Sequence, residues 1–285
     1  MQPRLFKVIA CQIMVREVCL LAAQSPHLID LEFLSLALHE DPQRHQPELQ
    51  KAIDRVPKGH YHAILLGYGL CSRLLDGIEA RHTPLVVPRV HDCLAFLLGS
   101  RQRFEELRAQ QPGTYFFTIG WVEGPLRRYG NQGSLLSESS ELFPSDLALS
   151  PTTSDNLLLT PPLEGVSPQI YQRWVTKYGP EKAHQLLTIA RETLQHYRRG
   201  LWIEWPQLPY AEAERHVRAL CQQRGWEFQK CTGTTDYVRR WLFGQWDPHE
   251  FLIVPPGHKI VATYDEDLLQ AVPSKLPTQP IEKKP

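Results

Sequence analysis

Three cysteines and one histidine in this 285-residue chain stand where a thiolate–imidazole site would need them. Cys11 closes the apolar run Leu5–Ala10, and Cys71 follows the run Ala63–Gly67 after Tyr68-Gly69-Leu70. His91 and Cys93 follow Leu85–Val87 in the string PRVHDC, Pro88 to Cys93. Thiolate sulfur and imidazole nitrogen are the usual donors to zinc and iron. A structural zinc site takes four such donors in a tetrahedron, and a catalytic one takes three and keeps a position open. Cys11, Cys71, His91 and Cys93 supply up to four. They are scattered along the chain and include no CxxC pair, which is the pattern of a catalytic centre and not of a zinc finger. The plainer alternative is that the cysteines are small buried hydrophobes and His91 is hydrogen-bonded, because free cysteine is among the most buried residue types. Three flanking residues are candidates for holding a cofactor or substrate: Tyr68, Arg89 and Asp92. Arg89 offers a planar fork to a carboxylate or phosphate. Asp92 offers a carboxylate that can orient His91.

The elements that must position these residues can be read from the apolar periodicity. A run of four to six apolar residues stopped by Gly or Pro reads as a buried strand. In an open parallel sheet ligands sit beyond the carboxyl ends of the strands. Neighbouring strands lie about 4.8 Å apart, so donors at adjacent ends can meet on one ion. Strands are expected at Leu5–Ala10, Ile29–Leu36, Ala63–Gly67, Leu85–Val87 and Thr114–Trp121. Helices are expected at Arg16–Gln24, His45–Val56 and Leu94–Gln110, with Gly99-Ser100 inside the last. Alternation of this kind gives βαβ units, hence an α/β fold with a doubly wound, mostly parallel sheet. Residues Gly130–Val166 lose the periodicity and are rich in Ser, Pro, Thr and Gly, as in a long irregular insertion. Helical spacing returns over Pro168–Tyr197, followed by strands at Leu201–Trp205, Trp226–Cys231 and Phe251–Val254. Helices at Tyr210–Arg224 and Thr234–Phe243 lie between them, and Lys259–Thr263 extends or pairs with the last strand. The expected organisation is a Rossmann-like half at 1–128 that carries the site, an insertion at 129–166 and a second α/β half at 167–265. The second half packs over the site, and a disordered tail fills 266–285.

Bulk properties narrow the class. Lys+Arg and Asp+Glu balance at 31 each, so no overall field favours nucleic acid or an anionic membrane. No apolar run approaches the roughly 20 residues of a membrane helix, and the N-terminus reads as a first strand and not as a signal peptide. Six cysteines are too few for a disulfide scaffold at this length, which points to a cytoplasmic protein with reduced thiols. Cys19 and Cys221, on helices, are expected in the core, and Cys231 is expected to be structural.

Several strings occur in an order that resembles a known family, the domain-of-unknown-function family 1638. They are YGLC (68–71), PRVHDC (88–93), LLGS (97–100) and PGTYFFTIGW (112–121). Lys177-Tyr178-Gly179 and DYVRRWLFGQWDPHEFLIVPPG (236–257) complete the set. The resemblance spans nearly the whole chain outside Gly130–Val166 and the proline-rich tail. It brings no activity that can be transferred. It does imply an association with corrinoid-dependent methyl transfer, with a corrinoid protein or a small-molecule substrate as partner. The functional expectation is a Cys/His site for zinc or iron that assists such chemistry. The alternatives are a non-catalytic metal or cofactor carrier or sensor, and a thiol redox protein.

Overall fold

The first strand, β1 (Leu5–Cys11), is central because its last four residues, Val8 to Cys11, are wholly buried. The computed structural model describes residues 2–35, 42–129, 168–208, 210–263 and 265–274. Two compact units emerge: Met1–Arg101 with Thr235–Pro285, and Gln102–Thr234.

In the first unit β1 lies between β2 (Leu28–Leu34) and β3 (Ala63–Gly67). The sheet continues through β4 (Leu85–Pro88), in the order β2-β1-β3-β4, all parallel. The chain passes from β1 to one side, then crosses back to the other, which is a doubly wound order with its switch point between β1 and β3. All five β3 residues are buried apolar residues or glycine, as a strand covered on both faces requires. Helices α1 (Val15–Ala22), α2 (Pro42–Asp54) and α3 (Cys93–Leu98) follow β1, β2 and β4. The sheet ends on a strand from far along the chain, Phe251–Val254, paired antiparallel to β4 from Leu85↔Val254 to Pro88↔Phe251. Helix Asp236–Leu242 belongs with it: Tyr237 and Trp241 set their rings edge-on to Phe96 of α3, at 5.0 and 5.3 Å. The Trp241 indole N–H also donates to the Val86 carbonyl.

The second unit has its own three-stranded parallel sheet: β5 (Thr114–Phe117), β6 (Arg199–Glu204) and β7 (Glu227–Thr232), in that order. Its helices are α4 (Arg101–Gln110, whose first residue still belongs to the first unit), α5 (Ile119–Tyr129), α6 (Pro168–Tyr178), α7 (Pro180–Gln195) and α8 (Ala211–Gln223). Phe117, Trp202, Val217 and Cys221 share its core. The helix at Asp236–Leu242 is then α9, and the strand at Phe251–Val254 is β8.

The fold class is as expected, but several elements belong elsewhere. The run at Thr114–Trp121 is no fifth strand of the first sheet: β5 stops at Phe117 and pairs with β6. Leu94–Gln110 is two helices, because Gly99 takes a left-handed φ of 83° that ends α3. The strand Phe251–Val254 and helix α9 join the first unit, so the compact units do not follow the linear halves 1–128 and 167–265. Strand β9 (His258–Ala262) pairs with β10 (Leu269–Pro273), which lies inside the stretch 266–285 read as a tail. Cys19 is exposed where a core position was expected, because α1 turns Glu17, Val18 and Leu21 inward instead. Residues 130–167, which include nearly all of the expected insertion, lie outside the described residues.

Candidate functional site: a thiol cluster at the switch point

Cys11 is the last residue of β1, one step past the pair Ala10↔Gly67, so it stands level with Tyr68 beyond the end of β3. That is the switch point, where the connections from β1 and β3 leave in opposite directions and where open α/β sheets generally bind their ligands. Two loops meet here. The loop after β3 carries Cys71, and the loop after β4 carries Cys93 as the first residue of α3. Backbone bonds join them: Leu70 N–H donates to Val90 O at 2.8 Å and Cys71 N–H to His91 O at 3.1 Å. Gly69 permits this approach, because a Cβ there would lie 2.9 Å from both Asp92 N and Val90 O. Cys71 and Arg73 hold left-handed φ values of 41° and 72°, unfavourable for residues with a Cβ and sustained here by the contacts on either side. The result is a contact between two thiols, Cys71 Sγ to Cys93 Sγ, at 3.5 Å.

The three cysteines are buried, with exposures of 0 % for Cys11, 5 % for Cys71 and 2 % for Cys93. Burial pushes the Cys11 thiol well above its ordinary value, and the neighbouring Cys93 adds to the shift. For Cys71 the hydrogen bond with Cys93 leads and burial follows, again upward. Tyr68 is fully buried, and its phenol is raised by burial and then by Cys11, Cys93 and Cys71. Every one of these shifts reflects the cost of placing negative charge there, a cost that a bound cation would remove.

The other candidate residues are placed differently. His91 is exposed while the three thiols are inside. Asp92 caps α3, its carboxylate accepting the Leu94 N–H at 2.8 Å. The Arg89 guanidinium donates to three carbonyls: Pro248 O at 2.9 Å, Asp267 O at 2.8 Å and Leu269 O at 2.5 Å. Its fork therefore grips backbone. Among the described residues no three His, Cys, Asp or Glu side chains are arranged to hold a metal ion as they stand. The contact at hand is a two-sulfur pair with Cys11 beside it.

Sequence reasoning missed Asp76. One carboxylate oxygen accepts from Arg73 at 2.5 Å and the other from the Ala262 N–H at 3.0 Å. The signal was faint: an acid three residues after an arginine, beside Gly77. It also missed Met14, buried against Gly67.

Fold and site together define an α/β protein with three buried cysteines gathered where a doubly wound sheet changes direction. The chain belongs to the family described as Protein of unknown function (DUF1638), whose model matches residues 33–242, well over half of its length. Cys71, His91 and Cys93 fall within the match and Cys11 precedes it. No curated protein and no solved structure matches the chain. Among the described residues no helix is long and apolar enough to cross a membrane.

Proposed function

We propose that the thiol cluster binds one zinc or iron ion, with Cys71 and Cys93 as the anchoring thiolates and Cys11 as the third donor. The observation that carries this is the 3.5 Å separation of the Cys71 and Cys93 sulfurs. Two thiolates on one tetrahedral zinc, each bonded at about 2.3 Å, lie roughly 3.8 Å apart, so the pair needs only a slight opening. Cys11 has to turn towards them to complete a three-sulfur set. His91 is a donor only if its loop swings inward. A fourth position then stays open to a substrate, and transfer of a methyl group from a corrinoid to a substrate thiol is the reaction class this reading favours. Methylcobalamin with a small thiol as acceptor tests it: turnover supports an enzyme, and metal without turnover supports a carrier or sensor.

The same contact favours a second reading, a reversible Cys71–Cys93 disulfide, which needs only the two thiols already in touch. The thiols are buried and Cys71 is shifted upward, whereas reactive redox thiols are usually lowered and accessible, so the metal reading ranks first. Metal analysis of anaerobically purified chain decides between them. A metal count near one per chain that depends on Cys11, Cys71 and Cys93 supports the first. Metal-free protein that gains a Cys71–Cys93 bond on oxidation supports the second.

A further inference from the structure

The two loops that carry Cys71 and Cys93 are both fastened to the same distant element, the hairpin β9–β10. On the Cys71 side, the ladder runs along residues 77–80: Gly77 N–H to Ile260 O at 2.7 Å, Ile260 N–H to Ile78 O at 2.8 Å and Ala80 N–H to His258 O at 2.9 Å. Asp76 extends it into the strained turn. It bridges the Ala262 N–H and the Arg73 guanidinium, and Arg73 is the second of the two left-handed residues. On the Cys93 side, Arg89 reaches the hairpin through Asp267 O in its turn and Leu269 O at the start of β10, and Arg101 donates to Glu266 O in the same turn. That turn is itself held by its own residues. Asp265 accepts from Thr263 Oγ1 and from the Asp267 N–H, and Leu268 is buried at 3 % in a left-handed conformation. The hairpin lies beyond residue 242, where the family match ends.

We infer that the β9–β10 hairpin fixes the separation of Cys71 and Cys93, and that Asp76 and Arg89 are the positioning residues through which it acts. The inference rests on the thiol pair being the functional centre, as proposed above. Neither residue touches a sulfur. Asp76 fixes the turn that aims Cys71, and Arg89 fixes the end of β4 from which the Cys93 loop departs. A residue that holds a ligand in place, without binding the ion, typically changes metal affinity 10- to 100-fold when removed.

The test is cobalt(II) titration of the full reduced chain, read by the thiolate charge-transfer and tetrahedral ligand-field bands. It compares the parent, Asp76→Ala, Arg89→Ala and Arg89→Lys, at a temperature well below every variant's melting midpoint so that all are folded. A merely structural residue then leaves affinity unchanged. The expected result is one cobalt per parent chain and roughly 10- to 100-fold weaker binding in Asp76→Ala and Arg89→Ala. Arg89→Lys should fail to restore binding, because a single ammonium cannot span carbonyls that the guanidinium fork reaches together. Parent-like affinity in the folded alanine variants overturns this inference and leaves the metal reading standing. No cobalt in the parent overturns both.

Discussion

At the scale of the residue, the site depends on two loops coming closer than side chains ordinarily allow. Gly69 is where they touch, and the atoms a Cβ would meet are backbone, which cannot swing aside. Gly69→Ala should therefore cost about 1–3 kcal/mol, the usual cost of forcing extra volume into a packed position. It should also weaken metal binding by spreading Cys71 from Cys93. Chemical denaturation and cobalt titration measure the two effects, and a variant with parent stability and affinity contradicts the packing. Asp76 gives a pH signature. Burial acts to raise its carboxyl, but hydrogen bonds from Arg73 and the Ala262 N–H, with the charges of Arg73 and Lys259, outweigh it and hold the group low. A carboxylate lowered by folding stabilises the protein above its unfolded value of about 3.9 and loses that contribution as pH falls through the folded value. The parent's melting midpoint should thus fall more steeply than that of Asp76→Asn between about pH 5 and 3. Parallel curves would show that the bridge contributes nothing. Cys11, Cys71 and Cys93 were legible as a group because Gly and Pro mark the strand ends before the two loops. Which side chains turn inward was not legible. His91 and Cys93 are two residues apart, yet one is exposed and the other buried, because the Asp92 cap and the Cys71–His91 backbone bond fix the loop between them.

At the scale of the element, short apolar runs announced the strands but not their partners. Phe251–Val254 was bounded correctly from its sequence, and nothing in it says that it runs antiparallel to β4 in the first unit. β10 is not announced by the sequence because Leu269–Pro273 is short, exposed or half-exposed after its first residue and closes on a proline. Its pairing depends on a turn fixed locally by Asp265 and, from far away in the sequence, by Arg89. α9 shows what such late elements contribute. Trp241 is wholly buried and donates to Val86 O of β4. Trp241→Ala should destabilise the first unit by about 3–5 kcal/mol, the range for removing a buried large aromatic side chain. Thermal or denaturant unfolding followed by tryptophan-independent circular dichroism measures it. A loss below about 1 kcal/mol, the level of an ordinary substitution, would mean that α9 is not part of that core.

At the scale of the whole molecule, the first unit is built from both ends of the described chain and the second from its middle. A truncated chain ending at residue 128 lacks β8, α9 and the β9–β10 hairpin, so it should not unfold cooperatively. Residues 1–101 joined to 235–274 by a flexible Gly/Ser linker keep every strand of the first sheet and should show one cooperative transition. Cooperative unfolding of the truncated chain, or none in the joined one, contradicts the division. Alternation of strands and helices made the α/β class readable in the sequence. The return of the C-terminal segment to the first unit is a tertiary choice, which local periodicity does not encode.

The central claim is that the buried thiols form a metal site, and counting metal tests it most directly. Parent, Cys71→Ala, Cys93→Ala and Cys221→Ala are purified anaerobically, and zinc and iron are measured per chain. Cys221 is the control because it is a buried cysteine of the second unit's core, so its loss affects packing alone. The account predicts about one ion per chain in the parent and in Cys221→Ala, and orders of magnitude weaker retention in Cys71→Ala and Cys93→Ala, all four remaining folded. Equal metal in all four, or none in the parent, would leave Cys71 and Cys93 as ordinary buried residues and contradict the site while leaving the fold as described.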